Sequence, residues 1–203
     1  IAIALAEAGA DIAVVSRSSS QEVEKAVLAF GRRYVHHEAD LTKRTETKAV
    51  IPAVMEKMGD INILVNNVGI IRRSAAVDYS EEDWDATIEI DVTAAFILSQ
   101  AAGRIMLKKG KGKIINIASV LSFQGGMNVV AYSTAKHGIA GMTKALASDW
   151  AKHGINVNAI APGFFVTELT EALQKDQDRN KAITMRTPAG RWGEIADITG
   201  SAL

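Results

Sequence analysis

Short β-branched apolar runs alternate along this chain with longer stretches of mixed polarity. The runs are Asp11–Ser16, Tyr34–Glu38, Ile61–Asn66, Lys113–Ala118 and Ile155–Ile160. Between them, the stretches 20–31, 43–58, 81–109 and 130–153 return apolar residues at helical spacing and predict helices. Ile63, Leu64 and Val65, and likewise Ile114, Ile115 and Ile117, are nearly continuous apolar runs, as expected of strands buried on both faces. Strands of this kind separated by helices predict an α/β fold: a doubly wound parallel sheet with helices on both faces. Gly9, Gly59 and Gly154 sit where helices should stop and read as C-terminal caps. No repeat, low-complexity tract or linker interrupts the pattern, which predicts a single domain over residues 1–203. The opening Ile1–Ala6 is apolar and runs into Glu7, like the interior of an amphipathic helix whose beginning lies upstream.

Composition narrows the function classes. The chain has 203 residues, enough for one domain with a sizeable core. Its 23 Lys and Arg balance 23 Asp and Glu, so no global field recruits nucleic acid or an anionic membrane. There is no Cys, hence no disulfide, thiolate metal site or Cys nucleophile, in keeping with a cytoplasmic location. No wholly apolar run approaches the roughly 20 residues of a membrane helix. His36, His37, His137 and His153 lack metal-ligand spacing, and adjacent His36 and His37 point to different sides of any regular element. No metal site is expected.

Ligands of doubly wound sheets bind outside the carboxyl ends of the strands, and the candidate chemistry falls there. Tyr132 and Lys136 lie four residues apart in a predicted helix, on one face. An ammonium beside a phenol stabilises the phenolate, lowering the Tyr pKa toward the range of a general acid or base. A surface helix can carry such a pair without function, so the case depends on what converges on it. The run Ile61–Asn66 passes into Asn67-Val68-Gly69, where glycine permits close backbone approach and Asn side chains can bridge strands; a plain turn has the same composition. Ser119 ends the next strand, thirteen residues before Tyr132, with Ser122 as a nearby rival. The last strand ends in Ala161-Pro162-Gly163, a rigid turn, followed by Thr167 as a candidate cap for a helix starting at Glu168.

Taken together, Asn66-Asn67-Val68-Gly69, Ser119, Tyr132–Lys136 and Asn156-Val157-Asn158-Ala159-Ile160-Ala161-Pro162-Gly163 resemble the short-chain dehydrogenase/reductase family in order and spacing. The resemblance covers the whole chain. It implies a Rossmann-like fold and hydride transfer between a nicotinamide cofactor and a carbonyl or alcohol. By the same resemblance, Tyr132 exchanges the proton with the reacting oxygen and Ser119 holds that oxygen. Lys136 lowers the Tyr132 pKa and binds the nicotinamide ribose. Asn67, Val68 and Gly69 line the cofactor; Pro162, Gly163, Phe165 and Thr167 grip the carboxamide; and Asp40, with Leu41, sits beside the adenine. On local grounds Asp40 reads equally well as a cap near Thr42.

The resemblance also marks departures. The family's first strand and Gly-rich phosphate loop would precede Ile1 and its last strand would follow Leu203, so the sequence is expected to be part of a longer protein. Where the family usually has Asn, seven residues after Trp84, this chain has Asp91. Its charge is expected to pair with Lys136, weaken the pull on Tyr132 and so shape the pH optimum. At the end of the first strand, Ser16-Arg17 replaces the acidic residue of NAD-preferring members, which favours NADP over NAD. Residues 67–73, 122–126 and 188–193 resemble the sugar-acid branch, the 2-deoxy-gluconate 3-dehydrogenases and gluconate 5-dehydrogenases. Arg72, Arg73 or Gln124 would then hold a carboxylate or hydroxyls. The competing readings are a 3-oxoacyl-carrier-protein reductase and a non-catalytic dinucleotide-binding or scaffold protein. The broad apolar faces of 81–109 and 130–153 exceed what one sheet needs, and with the resemblance imply a homodimer or homotetramer.

Overall fold

Alternation along the first strand decides which helices cover which face. In the computed structural model, which describes residues 1–167 and 170–203, β1 (Ile12–Ser16) sends Ile12 and Val14 into a cluster with Leu5, Ala6 and Val27. Those partners come from α1 (Ala2–Glu7) and α2 (Gln21–Ala29). Ala13 and Val15 point the other way, against the main core, as the period of two requires. That core contains Val50, Ile51 and Val54 of α3 (Arg44–Met58) and Leu98, Ala102 and Met106 of α5 (Ala94–Lys109). Helices therefore lie on both faces of a parallel sheet, a Rossmann-like arrangement.

The strands pair in two groups. β1 pairs in parallel with β2 (Tyr34–Glu38). Separately, β3 (Ile63–Asn66), β4 (Gly112–Ile117) and β5 (Ile155–Ile160) form a parallel sheet in the order β3-β4-β5. Val65 of β3 packs against the Ile12 cluster, so the two groups share side-chain packing without sharing a ladder. This corrects one expectation. Ile114 in the central strand is fully buried, but Ile63 is 38% exposed, and Leu64 and Val65 are half-buried. An apolar run predicts burial on both faces only where strands flank both edges, and β3 is paired along one edge.

The strands are trimmed at their starts by polar capping. Asp11 lies outside β1 because its carboxylate accepts the Arg33 N–H at 2.9 Å and pairs with Arg32 and Arg33. Asp60 accepts the Ile61 N–H at 2.8 Å, and β3 begins two residues later. The predicted helix 81–109 forms throughout, starting where Ser80 accepts the Asp83 N–H. It comprises α4 (Glu81–Ile88), a π-helical turn over Glu89–Thr93, and α5. By length and composition this helix could cross a membrane, but half of its most apolar window is buried within the protein, as suits a core helix.

Polar side chains lock the strand ends together. Asn66 Nδ2 donates to Asn116 Oδ1 at 2.8 Å and to Ser99 Oγ at 2.9 Å, and Asn116 Nδ2 donates to Thr143 Oγ1 at 2.9 Å. This buried chain ties β3 and β4 to α5 and to α6 (Val130–Trp150), where the sequence suggested strand-bridging by Asn. After α6 and the short turn Ala151–His153, Gly154 has φ +78°, and a Cβ there would meet the Gly110 carbonyl oxygen at 2.2 Å. Only glycine fits. The remaining elements are α7 (Glu171–Lys175), α8 (Gln177–Arg186) and α9 (Ile195–Thr199).

Candidate active site

Asp91 lies in the π turn, against α6 and the segment after β3. Asp91 is 1% exposed and Lys136 4%. Asp91 Oδ1 accepts the Ile70 N–H at 2.7 Å. Its other oxygen, Oδ2, has no hydrogen-bond partner and lies 3.7 Å from Lys136 Nζ, an ion pair without a direct hydrogen bond. Lys136 Nζ donates to the Ile117 carbonyl at 2.9 Å and sits 5.4 Å from the centre of the Tyr132 ring. One buried carboxylate thus links the segment leaving β3 to the cation on α6, and that cation to the end of β4.

Burial dominates the charges here. It pushes Asp91 up to about 6, against the opposing pull of Lys136 and the Ile70 N–H. It pushes the Lys136 ammonium down, with Asp91 resisting. The Tyr132 phenol is raised, first by burial; the Ser119 hydroxyl and the Arg73 charge pull it down, while the Asp91 charge pushes it up. This corrects the expectation that Lys136 lowers the Tyr132 pKa. Its ammonium lies over the ring face, is shared with Asp91 and the Ile117 carbonyl, and the phenol is buried. Asp91 does pair with Lys136 as its charge predicted.

The two candidate serines are now distinct. Ser122 Oγ donates to the Lys136 carbonyl at 2.7 Å and accepts the Ser119 N–H at 3.2 Å, so it is committed to structure. Ser119 Oγ accepts the Leu121 N–H at 3.1 Å and keeps its own proton for the phenol side of the site.

The other predicted residues divide. Asn67 and Gly69 are exposed at the end of β3 and Val68 is half-buried there. A Cβ on Gly69 would meet Asp91 Oδ2 at 3.1 Å, so glycine lets this segment pass the carboxylate. The Pro162 carbonyl accepts the Val120 N–H at 2.8 Å, bringing the Pro162-Gly163 turn beside Ser119. Phe165 bridges to Gly193, and its carbonyl accepts the Thr170 hydroxyl at 2.6 Å. Thr167 donates its N–H to that hydroxyl; the helix expected from Glu168 lies outside the described residues, and α7 begins at Glu171. Ser16 Oγ donates to the Ser18 carbonyl at 2.7 Å, with His36 Nε2 at 3.1 Å, and Arg17 beside it is exposed. Asp40 accepts from the Thr42 N–H and hydroxyl at 3.0 and 2.8 Å, closing a turn rather than capping a helix, since α3 begins at Arg44 with Lys43 at its N-cap. Leu41 belongs to the core, and its carbonyl faces the Thr47 hydroxyl. The residue as a whole is 7% exposed. Gln124 is exposed.

On the substrate side, Arg72 is exposed. Its guanidinium turns to Asp83, 3.7 Å away. Arg73 instead lies within electrostatic reach of the Tyr132 phenol and of Arg179 on α8. Arg179 had no signal in the sequence, since nothing local distinguishes it from any exposed helix cation.

The polar groups left over fit a dinucleotide. Asn67 and the Gly69 backbone stand exposed at one strand end, Arg17 at another, and Lys136 reaches between β4 and Tyr132. These are donors suited to ribose hydroxyls and a phosphate. A doubly wound sheet with Ser119, Tyr132 and Lys136 at its carboxyl ends defines a dinucleotide-dependent oxidoreductase. The short chain dehydrogenase profile matches residues 1–178, and the chain belongs to that family. It is 46% identical to a 2-dehydro-3-deoxy-D-gluconate 5-dehydrogenase of Dickeya dadantii, over 100% of this chain and 81% of the relative. It is 48% identical to one from Bacillus subtilis, over 100% of this chain and 80% of the relative. A putative 2-deoxy-D-gluconate 3-dehydrogenase from Agrobacterium tumefaciens, solved with bound NADP, superposes with TM-score 0.90 at 45% identity, covering 99% of this chain and 80% of that one. A gluconate 5-dehydrogenase from Burkholderia cenocepacia, solved with NADP and tartrate, gives TM-score 0.93 at 36% identity over 99% of this chain and 80% of its own. This chain is an NAD(P)-dependent oxidoreductase that moves a hydride between nicotinamide and a carbonyl or alcohol.

Proposed function

We propose that the substrate is a keto sugar acid or its hydroxy acid, that NADP is preferred over NAD, and that Tyr132 carries the proton. One observation carries the reading: the distribution of unpaired arginines. Arg32, Arg33, Arg44, Arg72 and Arg191 each face a carboxylate. Arg104 rests on Gln100 and Arg186 over the Phe164 ring. Arg17, Arg73 and Arg179 have no carboxylate at ion-pair distance among the described residues, although the Arg17 charge reaches Asp40. Arg17 follows β1, where a 2′-phosphate would lie; the Arg73 charge acts on the Tyr132 phenol, near which a substrate carboxylate would lie. The relatives' names point to sugar acids rather than to acyl-carrier thioesters, and the bound NADP of the solved relatives supports the cofactor choice.

A bound nicotinamide would supply or take the hydride. The chain's own residues handle the proton. A phenol raised by burial keeps its proton at neutral pH, so Tyr132 is poised to donate it to a carbonyl oxygen that the Ser119 hydroxyl holds. In the reverse direction the phenolate receives the alcohol proton. Lys136, fixed by Asp91 and the Ile117 carbonyl and lying over the Tyr132 ring, would hold the ribose of a bound cofactor. Trp84 and Phe96 remain 37% and 43% exposed on the long helix, which supports a homodimer or homotetramer formed there.

The test is oxidation of NADPH or NADH followed at 340 nm against keto sugar acids, neutral ketoses and acyl thioesters. The expected result is higher kcat/KM with NADPH and with the acids. Preference for a thioester or for neutral ketoses would sink the substrate assignment.

A further inference from the structure

The short segment that carries Arg17 is held by more than its own backbone. Ser16, the last residue of β1, and Ser18 flank Arg17, and the Ser16 hydroxyl donates across it to the Ser18 carbonyl at 2.7 Å. Two residues further on, Ser20 accepts the Val23 N–H at 3.4 Å at the start of α2. The connection is thus pinned at both ends, with Arg17, Ser18 and Ser19 exposed between them.

A further contact comes from the neighbouring strand. His36 of β2 lies in register with Val14, so its side chain shares a face with that of Ser16. Nε2 of this half-buried residue is 3.1 Å from the Ser16 hydroxyl oxygen and 3.1 Å from the Ser16 carbonyl oxygen. The partners assign the hydrogen. A carbonyl oxygen only accepts, and the Ser16 hydroxyl has already given its proton to Ser18, so Nε2 is the donor to both oxygens. The result is a relay from His36 through Ser16 to Ser18, spanning Arg17. A hydroxyl that accepts one hydrogen bond and donates another is fixed in rotation, and each bond polarises the next.

The strand that bears His36 is itself tied in place. The Ala39 N–H donates to the Ser16 carbonyl at 3.3 Å, and Lys57 Nζ donates to the His36 carbonyl at 3.4 Å. Ordering a loop on binding subtracts from affinity, whereas a turn held in advance avoids that cost. The sequence analysis considered His36 only as a metal ligand; its place beside Ser16 gives it a different use.

We infer that His36 is a positioning residue for cofactor choice: through Ser16 it holds the Ser16–Ser18 turn so that Arg17 meets the 2′-phosphate of NADP. This rests on the NADP reading above. A ribose 2′-hydroxyl needs no guanidinium, so NADH gains little from the relay.

Fluorescence titration of the full-length protein gives Kd for NADPH and for NADH with no substrate present. Wild type is compared with His36→Ala, His36→Phe, His36→Gln, Arg17→Ala and the His36→Ala/Arg17→Ala double variant. His36→Ala is expected to lower the NADPH-over-NADH preference by about threefold to tenfold, the effect of one ordinary hydrogen bond. His36→Phe keeps the bulk of the ring without the donor and should do the same, which carries the measurement if the alanine variant unfolds. His36→Gln should retain most of the preference, because its amide N–H can donate in place of Nε2. In the double variant the preference should fall no further than in Arg17→Ala alone, since His36 acts through Arg17. Equal losses for both cofactors would make His36 merely structural and overturn the inference. So would an additional loss of preference in the double variant, or a preference that falls in Arg17→Ala but not in His36→Ala or His36→Phe; these leave the NADP reading standing. A wild type that binds NADH as tightly as NADPH would remove that reading, and this inference with it.

Discussion

Asp91 holds two groups with one carboxylate, the Ile70 N–H on Oδ1 and the Lys136 ammonium near Oδ2, and both are out of water. At neutral pH it is mostly ionised, since burial raises it only to about 6. Below that it takes a proton, and the charge that supports Lys136 and raises Tyr132 disappears. Asp91→Asn keeps the Ile70 acceptor but loses the charge at every pH. The kcat/KM profile of the variant should therefore lack an inflection near pH 6. Its alkaline limb for alcohol oxidation should also move to lower pH, because the phenol ionises more easily without a neighbouring anion. Profiles that superpose would show that Asp91 does not tune the site. Tyr132→Phe should cut turnover by roughly 10²–10⁴-fold, the usual contribution of a positioned proton carrier. NADPH affinity should stay close to wild type, which fluorescence titration would check. The identities of these residues were legible from spacing and resemblance. The direction of the Tyr132 shift was not, because it depends on how deeply the phenol is buried.

Among the elements, the strand–helix alternation was readable because periodicity is a local property, and β2 and β5 have the bounds the pattern predicted. The π turn inside the long helix gave no sequence signal. Nor did α8, whose docking depends on Trp192, Asn180 and Phe164 meeting through tertiary contact. Two glycines near the same helix make a contrast. Gly154→Ala should destabilise by about 2 kcal/mol or more, from left-handed strain and a clash with the Gly110 carbonyl. Gly141→Ala, within α6 and with nothing near its Cβ, should stabilise by about 0.5–1 kcal/mol. Urea unfolding of both variants tests the pair. A Gly154→Ala protein as stable as wild type would contradict the assigned turn.

For the whole molecule, charge is balanced in total but unevenly distributed in use. Half of the arginines lie against protein carboxylates, whereas among the described residues Arg17, which follows β1, and Arg73, which acts on the Tyr132 phenol, have none at ion-pair distance. Arg17→Ala should therefore lower kcat/KM for NADPH by about tenfold or more while changing that for NADH far less, the loss expected of one phosphate contact. Equal losses with the two cofactors would reject the 2′-phosphate role. Acid should weaken the fold through Asp11 and Asp197, both held down at about 2, Asp11 first by the Arg33 backbone N–H and Asp197 first by the Arg191 side chain. Their folded values lie below the ordinary value of 3.8, so their contribution is complete above it and is lost as pH falls toward 2. Unfolding midpoints that decline over this range, and decline less in Asp11→Asn, are the expected result.

The sequence by itself determined the order of strands and helices and singled out Ser119, Tyr132 and Lys136 as candidates beside the strand ends. Those depend on period, spacing and residue type, which are written along the chain. Tertiary structure decided that Arg72 lies beside Asp83, that Ser122 is committed to the Lys136 carbonyl, and that α8 docks through Asn180 on Trp192. It also decided that Lys136 is shared with Asp91 rather than given wholly to the phenol. Pairing and burial are set by groups far apart in sequence, and no local pattern records which carboxylate a cation will meet.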